Sequence, residues 1–302
     1  MSTFVISGAT GMIGRALTAC LLRRGDRVLA LVRPDSKRGA ALTRHPNFRV
    51  IPCGLADYAA YTPDERADVF FHLAWAETSG AGRDDMAVQW QNVRYSLDAA
   101  ELAARFGCAR FVGAGSQAEY GPADAPLAKD TPVDPQSGYG MAKYAAGKMT
   151  AARCRQLGIS HCWVRILSIY GEGDGENTLI SYLIRALQKG EVPQLTPCEQ
   201  IWDYLYVGDA AAALVAVAEK GRDGAVYPLG SGEGRPLSHY VNTLRDCVSP
   251  GAPVAFGARP YYPHQPMYLV ADIRELTADT GFVPRVSFEE GIRRILAAQN
   301  KE

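Results

Sequence analysis

The N-terminal run Met1-Ser2-Thr3-Phe4-Val5-Ile6-Ser7-Gly8-Ala9-Thr10-Gly11-Met12-Ile13-Gly14-Arg15 decides the fold. Residues 3–7 form a short apolar run, the pattern of a strand buried on both faces. Residues 12–24 then carry helical spacing, with Ile13, Ala16, Leu17, Cys20 and Leu21 on one side and Gly25 as the stop. Between strand and helix lie three glycines, each with its own physical task. Gly8 permits a tight turn, Gly11 lets a pyrophosphate approach the backbone, and Gly14 lets helix and strand pack closely. The free N–H groups at the helix start then face the phosphates of a dinucleotide, and Thr10, Met12 and Ile13 count with the three glycines among the expected cofactor contacts.

Further apolar runs follow at 27–32, 48–52, 67–73, 109–114 and 161–166, with helical stretches at about 84–106 and 139–156 between them. Continuous apolar strands separated by helices predict an α/β fold, a doubly wound parallel (Rossmann) sheet covered on both faces. The chain divides on this reading into a dinucleotide-binding domain, 1–166, and a smaller C-terminal α/β substrate lobe, 167–302. That lobe has helices near 176–189, 209–219, 237–248, 272–280 and 287–299, a loop carrying Pro260, Pro263 and Pro266, and at least one strand returned to the sheet.

The 302 residues hold 32 basic and 32 acidic side chains. That balance gives no field to draw in nucleic acid or an acidic membrane. No apolar run reaches a membrane span, and the first residues lack the basic start and cleavage site of a signal peptide. The seven cysteines form no CxxC pair and no metal pattern. Free thiols in a reducing cytoplasm are the expectation, and no metal is predicted.

At the end of the second strand stands Arg33, where an acidic residue would hold the ribose hydroxyls of NAD(H). Lys37 and Arg38 follow. A guanidinium suits a 2′-phosphate, so NADP(H) is preferred, while Asp35 keeps NAD(H) possible. Tyr139-Gly-Met-Ala-Lys143 opens a helix after Pro135-Gln-Ser-Gly. Residues four apart share a helix face, so phenol and ammonium can enter one cleft, and the ammonium is expected to lower the phenol pKa. Tyr139 could then protonate a carbonyl oxygen as hydride arrives, or take the proton in reverse. A second match, Tyr144 and Lys148, lies about 140° further around the helix and cannot face the same cleft. Ser116, after the glycine turn Gly113-Ala-Gly115, can offer its hydroxyl to the same oxygen.

These residues resemble the extended short-chain dehydrogenase/reductase family, the NAD-dependent epimerase/dehydratase group that modifies nucleotide-sugars. The resemblance runs over nearly the whole chain. It includes the glycine loop, His72-Leu73-Ala74, Asn92-Val93, Ser116 with Glu119-Tyr120-Gly121, and Tyr139 with Lys143. Arg165 to Gly171, Asp203 to Asp209 and Gly281 to Pro284 continue it. It implies a triad of Ser116, Tyr139 and Lys143. It implies cofactor contacts from the glycine loop, Arg33, Lys37, Leu55, Leu73, Ala74, Trp75, Tyr139 and Lys143. Substrate contacts follow from Gln117, Ser168, Asn177, Trp202 and Arg259. Three departures narrow the chemistry. Gln117 and Ala118 replace the Asp-Glu of the sugar 4,6-dehydratases. Ser168 and Trp202 replace a diphosphate-binding Asn and Arg, leaving Arg259 as the phosphate anchor. Trp75 stands where a small residue is usual, either shaping the sugar pocket or serving as core.

The implied function is NADPH-dependent 4-keto reduction of a nucleotide-linked deoxysugar. An epimerase acting through a transient 4-keto sugar, a reductase of a non-sugar ketone, and a non-catalytic NADP-binding regulator are the alternatives. A homodimer is implied through two long helices, with Ala99, Ala100, Ala103, Ala104, Ala145, Ala146 and Ala152 as small packing residues.

Overall fold

A computed structural model describes residues 1–39, 42, 44–262 and 265–300; Pro263 lies outside them. The main sheet has seven strands, all pairs parallel. They are β1 (Thr3–Ser7), β2 (Arg27–Val32), β3 (Phe48–Pro52), β4 (Val69–His72), β5 (Arg110–Ser116), β6 (Ser160–Ile166) and β10 (Val226–Leu229). Their order is β3-β2-β1-β4-β5-β6-β10. The order reverses between β1 and β4, which opens a crevice at the carboxyl ends of those strands. Strand β10 is the return to the sheet expected of the C-terminal half.

Alternate strand residues feed two apolar layers. On one face Phe4, Ile6, Val28 and Ala30 pack against helix α1 (Met12–Arg23) and helix α5 (Val207–Lys220). On the other, Val5, Leu29, Phe70 and Phe111 pack against helix α2 (Met86–Arg105), with helix α3 (Gly138–Leu157) alongside it. A third cluster lies further along the chain. It joins helix α4 (Leu179–Gln188), helix α6 (Leu237–Val248) and helix α8 (Phe288–Gln299). Two small sheets flank it. One pairs β7 (Ser168–Tyr170) with β9 (Tyr204–Tyr206); the other joins β8 (Ile201–Trp202), β11 (Arg235–Pro236) and β12 (Tyr268–Leu269). Helix α7 (Arg274–Thr280) covers β10.

Two buried carboxylates bind these parts together. Asp203 accepts N–H bonds from Ser231, Gly232 and Ala271 and the Ser231 hydroxyl. Asp209 accepts from the N–H groups of Arg285 and Val286 at 2.9 and 2.8 Å. All seven cysteines are free thiols. Among the described residues no helix is long and apolar enough to cross a membrane.

One local expectation needs correction. Gly113-Ala-Gly115-Ser116 is the end of β5 and not a turn after it. The cause is Trp163 on β6. A Cβ at Gly113 would come within 2.3 Å of its ring, one at Gly115 within 2.3 Å of its Nε1, and one at Gly147 of α3 within 2.8 Å. The three glycines make the slot that seats the indole between sheet and helix.

The alanines expected at a dimer face are also mostly elsewhere. Ala99, Ala100, Ala103 and Ala146 are fully buried in the chain's own core, while Ala104 and Ala145 are half-buried and Ala152 exposed. Their small side chains let α2 and α3 approach the sheet.

Gly113→Ala should therefore destabilise the chain by about 1–3 kcal/mol through overpacking. Chemical unfolding is the measurement. In a Trp163→Leu background the same substitution should cost clearly less, because the ring it strikes is gone.

Candidate active site

The glycine loop has the expected geometry. Gly8 has φ +78°, and a Cβ there would lie 2.7 Å from the Ala74 nitrogen. A Cβ at Gly14 would lie 2.2 Å from the Gly8 carbonyl oxygen. At Gly11 the nearest atom is 3.5 Å away, so no contact within the protein demands glycine there. What the bare Gly11 provides is room for an incoming group. Helix α1 follows its N-cap Gly11 with no side-chain cap bond and no acidic residue in its first turn. Its first N–H groups lack helical partners and carry the positive end of the helix dipole. This cradle fits a dinucleotide pyrophosphate. Gly8, Gly11, Met12, Ile13 and Gly14 all line one cleft of about 300 Å³; Thr10 sits in the turn beside it.

The same cleft is lined by Ser116, Tyr139, Lys143, Leu73 and Trp75. Thus the structure brings the serine, tyrosine and lysine together with the glycine loop. Lys143 is buried and donates from Nζ to the Ala114 carbonyl at 2.7 Å. The Trp75 ring covers the amine, with its centroid 3.8 Å from Nζ, and meets Tyr139 edge-on at 6.0 Å. Trp75 is therefore a cleft residue. Its Nε1 donates to Gln89 Oε1 at 2.9 Å, and Asn92 clamps the Ala76 backbone through both amide atoms. His72 does not line the cleft. It is buried between the hydroxyls of Ser7 and Ser96, and burial pushes its pKa down to about 3. Ala74 donates its N–H to the Ser7 hydroxyl at 3.3 Å.

Electrostatics differ from expectation at the phenol. Burial raises the Tyr139 pKa above its ordinary value, against the lowering effects of the Ser116 hydroxyl and Arg83. Lys143 does not produce the expected lowering. Its Nζ is 5.8 Å from the Tyr139 ring centroid, and burial brings its own pKa down to about 7. A neutral phenol is thus the resting form, which is the form an acid needs.

The remaining predicted residues separate. Asn177, Trp202 and Arg259 share a second cavity of about 450 Å³. Arg185 and Gln200 join them there, and neither was read from the sequence. Arg185 sits on the polar side of an amphipathic helix, where the only sequence signal was a solvated charge. Gln200 is buried and its Oε1 has no partner among the described residues. Ser168 lies on β7 opposite Tyr204, next to Leu167 of the first cleft. Gln117 opens the short turn after Ser116 and lines neither cavity. Arg33, Asp35, Lys37 and Arg38 are exposed beyond β2, with Arg33 Nε 3.9 Å from Asp35. Leu55 packs on the core beside β3. The Tyr144–Lys148 pair lies outside the cleft, with Nζ 5.5 Å from the ring.

The Lys143 value carries a stability consequence. Its folded-state pKa is depressed, so above about 7 the unfolded chain binds the extra proton, and stability rises with pH until the ordinary lysine value is passed. Lys143→Met removes this dependence. The stability of the variant relative to wild type should fall steadily from about pH 6 to about pH 10 in paired unfolding curves. A flat difference would place the titrating amine outside the fold.

Residues 4–230 match the sequence profile of the NAD dependent epimerase/dehydratase family. CDP-abequose synthase of Salmonella typhimurium is 25% identical over 97% of this chain and 96% of its own. The dTDP-6-deoxy-L-talose 4-dehydrogenase (NAD(P)(+)) of Kitasatospora kifunensis is 26% identical over 98% and 95%. Among solved structures, the UDP-glucose 4-epimerase of Thermotoga maritima superposes with a TM-score of 0.87 at 23% identity, covering 99% of both chains. With that profile spanning the glycine cradle, the triad cleft and the returning strand, the chain belongs to the NAD dependent epimerase/dehydratase family, the extended short-chain dehydrogenases.

Proposed function

We propose that the chain is an NADP(H)-dependent reductase of a nucleotide-linked 4-keto-deoxysugar. The observation that carries this reading is the shared cleft of Ser116, Tyr139 and Lys143 with the glycine loop. NADPH bound on that loop supplies the hydride. Tyr139 gives its phenolic proton to the carbonyl oxygen as the carbon is reduced. The Ser116 hydroxyl donates a hydrogen bond to the same oxygen. Lys143, anchored on Ala114, presents its remaining N–H bonds to the cofactor ribose, and Trp75 excludes water above it. The phenolate left behind regains a proton from solvent.

The second cavity suits the nucleotide diphosphate, because Arg185 and Arg259 both line it. Gln117 and Ala118 follow Ser116 where a dehydratase needs an acid and a base, so elimination of water is disfavoured. The name of the Kitasatospora relative, a 4-dehydrogenase of a dTDP-6-deoxysugar, supports redox chemistry at C4. Arg33, Lys37 and Arg38 at the end of β2 favour the 2′-phosphate of NADP(H) over the bare ribose of NAD(H). A homodimer through α2 and α3 fits the apolar side chains exposed on them: Met86, Trp90, Met141 and Met149.

Mixing the chain with NADPH and 4-keto-6-deoxyhexoses linked to dTDP, CDP and UDP tests the reading. Stoichiometric loss of NADPH absorbance with alcohol product is expected. Sugar interconversion without net NADPH loss would instead identify an epimerase, and NADPH binding without turnover of any substrate a regulator. Tyr139→Phe should lower turnover by about 100-fold or more while leaving NADPH affinity nearly unchanged. Arg33→Ala should weaken NADPH binding by about 10- to 100-fold and leave NADH binding nearly unchanged, as loss of a charge-assisted bond implies. Equal effects on both cofactors would remove the 2′-phosphate assignment.

A further inference from the structure

Arg83 lies in a short helical turn, Gly80–Asp84, between β4 and α2. Its guanidinium carbon is 4.2 Å from the centroid of the Tyr139 ring. The turn is fastened to the start of α3. Asp84 Oδ1 accepts the Gly138 N–H at 2.9 Å, and Gln89 Nε2 donates to the Gly82 carbonyl at 2.9 Å. Gly138 packs closely on the turn, since a Cβ there would lie 2.9 Å from Met86 Sδ and 3.1 Å from the Arg83 carbonyl oxygen. Arg83 itself makes one side-chain hydrogen bond among the described residues, from Nη1 to the Thr78 carbonyl at 3.1 Å. Thr78 lines the same cleft as Tyr139. The cation is therefore held over the phenol by a braced turn and is not drawn away by a carboxylate.

The other polar groups around Tyr139 leave this position open. From α3, Lys143 is buried and hydrogen-bonded to Ala114. From β5, Ser116 offers an uncharged hydroxyl. From the turn after β5, Glu119 opposes negative charge on the phenol, but it is paired with Arg165 on β6 at 2.8 Å. Arg83 is the guanidinium that lies on the ring itself.

We propose that Arg83 is a positioning residue for the reaction. It holds the Tyr139 ring towards Ser116 and stabilises the phenolate that remains once the proton has gone to the substrate. The proposal rests on the reading of Tyr139 as proton donor. A cation on the face of an aromatic ring is attracted to it, and more strongly once the ring bears phenolate charge.

The test places difluorotyrosine at position 139, where the acidified phenol titrates nearer neutral pH, and follows it by fluorine NMR. Arg83→Met and Arg83→Gln should each raise the titration midpoint by about one pH unit, a tenfold loss of phenolate at a given pH. Arg83→Lys, which keeps the charge, should move it by much less. An unmoved midpoint in either neutral variant, with NADPH binding intact, overturns the proposal. So does a shift in Arg83→Lys as large as in Arg83→Met, because charge would then not be the cause. The two readings separate cleanly. If Tyr139→Phe keeps full turnover, the proton-donor role fails although the titration shift stands. If Tyr139→Phe is inactive and the midpoint does not move, only the role of Arg83 fails.

Discussion

The geometry of the cleft depends on one buried carboxylate. Glu119 is 1% exposed, and its Oε1 accepts the Ser116 N–H at 2.8 Å and the Trp163 Nε1–H at 2.9 Å. Its Oε2 accepts from Arg165 Nε at 2.8 Å, and Arg165 is itself 4% exposed. A buried charge persists only when paired and hydrogen-bonded, and removing one partner of such a pair costs about 3–5 kcal/mol. Here the same bonds that satisfy the charge fix Ser116, tie β5 to β6, and hold the Trp163 ring in its three-glycine slot under α3. Tyr139 and Lys143 ride on that helix. The serine and the tyrosine are thus referred to one rigid point, as the proposed proton transfer to a small carbonyl oxygen requires.

The same economy recurs where the C-terminal half meets the sheet. Asp203 and Asp209 are acidic residues in a segment that carries the family resemblance, yet both use their oxygens within the chain, mainly on backbone N–H groups. Asp203 gathers the start of the loop after β10 and the segment before α7; Asp209 gathers the segment before α8. On the proposed function, recognition falls instead to side chains that line the second cavity, Arg185, Gln200 and Arg259 among them. The reaction cleft is fixed by the sheet, and the cavity by elements tied to it.

Much of this was legible in the sequence, for identifiable reasons. The strands of a parallel sheet are short continuous apolar runs, and the glycine loop has a task at each glycine, so the first 166 residues could be read almost element by element. Gly8 adopts the positive φ that its tight turn needs, Gly14 shows the predicted close packing, and Tyr139 and Lys143, four residues apart, line one cleft. The failures share a different cause. The slot formed by Gly113, Gly115 and Gly147 exists because of Trp163, a contact from another strand that no local pattern reveals. The two-residue strands β8, β11 and β12 are too short to have a period. Alanines on α2 look alike whether they face a partner or their own sheet. The phenol pKa was argued from one neighbour, whereas depth of burial decided its direction. Arg83 and Arg185 carry no local signal of a role, and only folding places them beside a ring and a cavity.

The account stands or falls on whether the glycine cradle and the phenol serve one bound dinucleotide. A crystal structure of the chain with NADPH measures this directly. The account predicts the pyrophosphate on the free amides of Met12 and Ile13, with the nicotinamide between Tyr139 and Ser116. A dinucleotide seated elsewhere, or one on the cradle with its nicotinamide turned away from the phenol, would contradict it.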